Sequence, residues 1–114
     1  MKKDLENRTK KFALIIIEFV SSLPRTREAD VLGKQLLRSG TSIGANYREA
    51  NRGVSCPDFA NKIGTVQKEV AETQYWLELI LESRIRKPAN GTQLHQEATE
   101  LLAIFTSIGK KLKE

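Results

Sequence analysis

Two acid pairs carry the clearest potential for chemistry: Glu69-x-x-Glu72 and Glu97-x-x-Glu100. Residues three apart on a helix share a face, so each pair projects two carboxylates together. Facing acid pairs on neighbouring helices can hold Mg²⁺ and work on phosphates. The other reactive types are scarce. His95 is the single histidine, with Thr92 three residues before it, so the paired Glu-x-x-His motifs of a di-iron bundle are missing. Cys56 is the single cysteine, which excludes an internal disulfide and a Cys-rich zinc site. It has no evident base beside it for nucleophilic work. Carboxylates at these spacings also serve simply to pair with cations on adjacent helices, and this use is preferred here. The reading is therefore non-enzymatic, with no cofactor and no metal site.

The cations are distributed unevenly. The chain has 114 residues and 19 Lys+Arg against 14 Asp+Glu, a net charge of +5. All of the excess falls in residues 1–57; residues 58–114 are neutral. Lys34, Arg38, Arg48 and Arg52 lie within an arc of about 80° at 100° per residue, opposite the apolar stripe of their segment. Lys2, Lys3, Arg8, Lys10 and Lys11 crowd the start of the first segment. Such a stripe, with Lys10 and Lys11 of the first segment as further candidates, can track a phosphate backbone, giving affinity without sequence choice. Its plain alternative is a solvated charged face. No aromatic residue interleaves the stripe, and no helix-turn-helix or RNA-recognition signature occurs. Arg25 and Arg27 sit in the first turn. Arg84, Arg86 and Lys87 are expected to close the third helix, and Lys110, Lys111 and Lys113 the fourth, where the backbone dipole accounts for them.

The elements that position these groups are all helical. Proline and glycine divide the chain into four segments, expected as helices over about 4–23, 26–53, 56–87 and 91–112. Phe59, Ile63, Val66, Val70, Thr73, Leu77 and Ile80 step by alternating fours and threes, as do Leu94, Ala98, Leu101, Phe105, Ile108 and Leu112. Each row is a heptad-like seam suited to bundle packing. The second segment has a softer stripe, Leu32, Leu36, Ser39, Ile43, Asn46/Tyr47, Ala50 and Val54. The first contributes Leu5, Phe12, Ile15/Ile16, Phe19/Val20 and Leu23. Ser55-x-x-Asp58 reads as an N-cap and Asn90-x-x-Gln93 as a weaker one. Short connections make neighbours antiparallel. The expected architecture is an all-α, up-down-up-down antiparallel four-helix bundle in one domain, residues 1–114. No apolar run reaches the roughly twenty residues of a membrane span, no secretory signal is apparent, and the cysteine usage fits the cytoplasm.

Two features exceed what a lone bundle needs. Ala13 to Ile17 is apolar around more than half the helix, and Tyr75, Trp76 and Leu79 extend beyond the third seam. Excess apolar surface points to subunit contacts. Gly40-x-x-x-Gly44, with Ser39, Ser42 and Ala45, narrows the second helix. Each mid-helix glycine costs about 1 kcal/mol against alanine, which close approach of a neighbour would offset.

A polar seam flanks the apolar one. Gln35, Ser42 and Glu49 recur at sevens, as do Lys62, Glu69 and Trp76. Folding the second and third helices about a turn near Ser55 pairs Glu49 with Lys62, Ser42 with Glu69 and Gln35 with Trp76, and brings Arg38 near Glu72. The seam reads as a register-fixing row of hydrogen bonds.

These residues carry a specific resemblance. Gln35-Leu36, Arg38-Ser39, Ser42-Ile43, Ala45-Asn46 and Glu49-Ala50, then Asp58-Phe59 and Lys62, then Glu69, Glu72-Thr73 and Tyr75-Trp76-Leu77 closely resemble the 23S ribosomal RNA intervening-sequence proteins. The resemblance spans nearly the whole chain, and its core is residues 35–77. It implies a bacterial four-helix bundle assembling as a homopentamer with a basic surface, and kinship with the accessory variability determinant of diversity-generating retroelements. It thereby implies RNA or DNA, or a nucleic-acid enzyme such as a reverse transcriptase, as a partner, and no catalysis. The enzymatic alternative is a Mg-dependent bundle similar to the all-α nucleotide pyrophosphatases, using Glu69/Glu72 and Glu97/Glu100.

Overall fold

The computed structural model describes residues 2–113; the expected domain's outermost residues, Met1 and Glu114, lie outside them. Four helices follow in order: α1 (Lys2–Ser21), α2 (Arg27–Asn51), α3 (Cys56–Glu82) and α4 (Gly91–Leu112). The described residues contain no strand. Helix α2 packs most extensively on α3, α3 on α4 and α1 on α2, while α1 and α4 share the smallest interface. The molecule measures 44 × 22 × 21 Å, as expected of helices of 20 to 27 residues laid side by side. No helix among the described residues is long and apolar enough to cross a membrane.

Side-chain pairs give the direction of packing. Ser39 of α2 meets Thr73 of α3, and ten residues further along α2, Glu49 meets Lys62. Advancing along one helix retreats along the other, so the pair is antiparallel. The third seam is buried from Ile63 to Ile80, and the fourth from Leu94 to Phe105. Together with Phe12, Ile16 and Phe19 of α1 and Leu36, Ile43 and Tyr47 of α2, they make one continuous core. Tyr47 stacks edge-on against Phe105 across it, ring centres 5.3 Å apart.

The two helix 2 glycines do bring α1 close. A Cβ on Gly40 would stand 3.0 Å from Ile16 Cγ2, and one on Gly44 would stand 3.1 Å from Thr9 Oγ1. Thr9 tolerates burial because its hydroxyl reaches Leu5 O, 2.9 Å away in its own helix.

Several boundaries differ from expectation. Helix α1 ends at Ser21, and α2 ends at Asn51 with Arg52 as C-cap, so Val54 lies outside the bundle and is 95% exposed. Ser55 caps α3 as expected, accepting from Asp58 N at 3.2 Å. Asn90 makes no side-chain cap bond. The largest shift is at the end of α3, which stops at Glu82 rather than near residue 87. Ser83 turns extended because its hydroxyl offers the backbone other partners: it donates to Ile80 O at 2.8 Å and accepts from Ile85 N at 3.2 Å.

Candidate nucleic-acid interface

The helix 2 stripe divides in the structure. Arg38 leans onto α3, where its Nη1 lies 3.2 Å from Glu69 and its Nη2 2.5 Å from Glu72. Its Nε also donates to Gln35 Oε1 at 3.3 Å. The Glu72 hydrogen bond, with Glu69 adding to it, raises the Arg38 pKa above its ordinary value. Arg48 turns the other way, toward Glu6 of α1, at 3.7 Å. Glu6 itself accepts a 2.8 Å bond from Asn51 Nδ2, tying the start of α1 to the end of α2. Lys34 and Arg52 are exposed and form no ion pair among the described residues, and the same holds for Lys10 and Lys11 of α1. Of the six cations assigned to phosphate contact, four are therefore available, one is half-engaged and Arg38 is committed to the bundle.

The polar seam is real in part. Glu49 and Lys62 meet at 2.8 Å, and Arg38 meets Glu72 as expected. Two expected pairs do not form. Ser42 Oγ donates to Arg38 O in its own helix at 2.6 Å, which leaves Glu69 to the arginine fork. Gln35 serves Arg38 instead of Trp76, whose Nε1–H is buried without a partner among the described residues. The reason is reach: a serine hydroxyl is satisfied by the carbonyl one turn back, while arginine spans to the next helix with several donors. The fully buried polar contact is elsewhere. Ser39 and Thr73, both placed in the apolar rows, bring their hydroxyls to 2.9 Å.

The second acid pair also has an arginine. Arg8 Nε and Nη2 grip Glu97 at 2.7 Å each, and Nη2 reaches Glu100 at 3.0 Å. Glu97's hydrogen bonds outweigh the cost of partial burial and raise the Arg8 pKa, with Glu100 adding to the effect. Both acid pairs thus hold a guanidinium where the enzymatic alternative would place Mg²⁺. Among the described residues no three of His, Cys, Asp and Glu converge on a cation-sized point. His95 Nε2 lies 2.8 Å from Glu78, a contact between α3 and α4 at the surface.

The apolar excess is exposed in two places. On α1, Leu14 is 54% exposed and Ile17 43%; on α3, Tyr75 is 53% exposed and Leu79 36%. Tyr75 packs edge-on against Trp76, ring centres 5.2 Å apart, so the α3 patch is aromatic.

Comparison with known proteins matches residues 2–107 to the family model described as 23S rRNA-intervening sequence protein. This chain belongs to that family. A crystal structure of a protein of unknown function from the S23 ribosomal protein family of Bacteroides thetaiotaomicron superposes with a TM-score of 0.86 at 37% identity. The alignment covers 96% of this chain and 99% of that one. A search of curated proteins gives no match. This intervening-sequence protein thus shares its fold with that relative over nearly the whole of both chains, and arginines occupy both acid pairs on its surface.

Proposed function

We propose that this protein is a non-enzymatic cytoplasmic scaffold that assembles as a homopentamer and engages RNA or DNA through phosphate contacts. One observation carries the reading: Lys10, Lys11, Lys34 and Arg52 stand exposed on α1 and α2 with no carboxylate partner among the described residues. A few unpaired cations on one chain bind weakly, but repetition around a ring lets weak contacts add. The exposed apolar patches on α1 and α3 support the assembly, since a soluble surface of this kind is normally covered. They lie on different helices, so one patch meeting the other is a head-to-tail contact of the kind that closes rings. The kinship with the retroelement accessory determinant that the sequence resemblance implies extends the proposal to a nucleic-acid enzyme, such as a reverse transcriptase, as a protein partner.

Light scattering should give five times the 12.9 kDa chain mass, and Ile17→Glu should reduce it. A monomer at all concentrations refutes the assembly. Fluorescence anisotropy with mixed-sequence RNA and DNA should show affinity falling steeply as salt rises. Absence of binding at low salt refutes the nucleic-acid role.

A further inference from the structure

The cations expected to close α3 lie beyond its last turn. Arg84 follows the C-cap Ser83 directly and Arg86 lies two residues further into the connection. Lys87 returns to the α3 terminus, donating to Ser83 O at 3.0 Å and Leu81 O at 3.4 Å.

The connection is pinned at alternate residues. Ser83 is held by its two hydroxyl bonds, Ile85 is half-buried and Lys87 is tied to carbonyls. Arg84 and Arg86, between those anchors, are both left exposed. Beside them the turn between α1 and α2, closed by Thr26 Oγ1 accepting from Ala29 N at 3.1 Å, exposes Arg25, and the first residue of α2, Arg27, is exposed as well.

The two loops meet. Pro24 and Thr26 share a cleft of about 410 Å³ with Arg84, Ile85 and Arg86. Pro24 also walls an adjoining cleft of about 290 Å³ that holds Arg25 and Lys34. None of Arg25, Arg27, Arg84 and Arg86 forms an ion pair among the described residues. The carboxylates in the two clefts are Glu28 and Asp30, in the first turn of α2 where the helix dipole favours them. The cations therefore outnumber the acids, on a backbone that is held in place.

No aromatic side chain lines either cleft, so this end lacks the stacking surface that single strands use. A duplex instead offers a regular phosphate array, one charge per roughly 1.7 Å of axis. Guanidinium groups suit it, since each can give two parallel N–H bonds to a phosphate. An end 22 × 21 Å across meets several such phosphates.

We propose that this end of the bundle, where the α1–α2 turn meets the α3–α4 connection, docks the backbone of duplex nucleic acid through Arg25, Arg27, Arg84 and Arg86. The inference rests on the nucleic-acid reading above and moves its main contact surface from the α2 stripe to the loop end.

The test is anisotropy with RNA and DNA duplexes of about 20 bp, a single strand of equal length, and polyglutamate, across a salt series. The variant Arg25→Gln/Arg27→Gln/Arg84→Gln/Arg86→Gln is compared with wild type, with circular dichroism and solution mass confirming its fold. Each lost duplex contact flattens the log–log salt slope by about 0.9, so four should flatten it by about 3 to 4. Affinity at low salt should fall at least about tenfold, as expected when several phosphate contacts are lost. Should the quadruple variant misfold, Arg84→Gln/Arg86→Gln in the connection alone should flatten the slope by about 2. An unchanged slope in a folded variant whose wild type binds duplex overturns this inference and leaves the nucleic-acid reading standing. Wild type binding neither duplex nor single strand at low salt overturns both. Tighter binding of the single strand overturns the duplex assignment, and tighter binding of polyglutamate makes the loop end an acidic-protein site.

Discussion

Ser39 and Thr73 form a buried hydroxyl pair whose energetics can be worked out. Each hydroxyl has one proton. Thr73 Oγ1 lies 2.8 Å from Glu69 O, and Ser39 Oγ lies 2.9 Å from Thr73 Oγ1 but 3.4 Å from its own Leu36 O. The consistent arrangement has Thr73 donating to Glu69 and Ser39 donating to Thr73. Ser39→Ala removes that donor and leaves a buried acceptor short of a partner, a loss of about 1 kcal/mol. Thr73→Val keeps the shape but leaves the Ser39 proton only its long bond to Leu36, a loss of about 1–2 kcal/mol. The double variant strands no polar group. It should lose less than the two singles together, with a coupling of about 1 kcal/mol. Urea unfolding followed by circular dichroism measures this, at fixed protomer concentration because assembly would otherwise shift the midpoint. In thermal melts each kcal/mol should move Tm by about 4 °C at this chain length. Additivity within about 0.3 kcal/mol would refute the shared-proton arrangement.

Three further outcomes follow from particular contacts. Gly40→Ala and Gly64→Ala should move thermal midpoints in opposite directions. The first drives a methyl to 3.0 Å from Ile16 and should lose about 1 kcal/mol net of its propensity gain, while the second enters open space and should gain about 1 kcal/mol. Arg8→Ala should lower the stability read from urea unfolding by about 1 kcal/mol, and Arg8→Lys should recover little of it, because an ammonium cannot grip Glu97 with two nitrogens. A Glu49→Ala, Lys62→Ala cycle should give a coupling below about 0.5 kcal/mol that disappears at high salt, since Glu49 is exposed and Lys62 partly so.

What the sequence makes legible depends on how far apart the partners are along the chain. The α3 and α4 seams are readable because period and burial coincide at every step from Ile63 to Ile80. Glu49–Lys62 and Arg38–Glu72 are readable because one short turn fixes the register of α2 on α3. The Arg8 fork onto Glu97 and Glu100 joins the first helix to the last across 89 residues, and no local rule places those partners together. The Ser42 and Gln35 pairings fail because residue spacing assigns neighbours but not which of several acceptors a hydroxyl or amide takes. The end of α3 fails for a related reason. Residues 84–87 carry no breaker until Pro88, so nothing in composition marks the serine whose hydroxyl ends the helix at Glu82.

The order of the interfaces has a kinetic meaning. Each extensive contact joins helices consecutive in the chain, and only the small α1–α4 contact links the two ends. Low contact order of this kind favours rapid folding. The α2–α3 hairpin, with the most extensive contact and a capped turn, is the natural nucleus. Helices α1 and α4, each packed extensively on one neighbour and joined to one another by the small contact that includes the Arg8 fork, should then dock after it and exchange their amide protons sooner. A ring whose subunits meet through Leu14 and Ile17 would clamp one of these two outer helices, so assembly would slow its opening and leave α4 the freer of the pair.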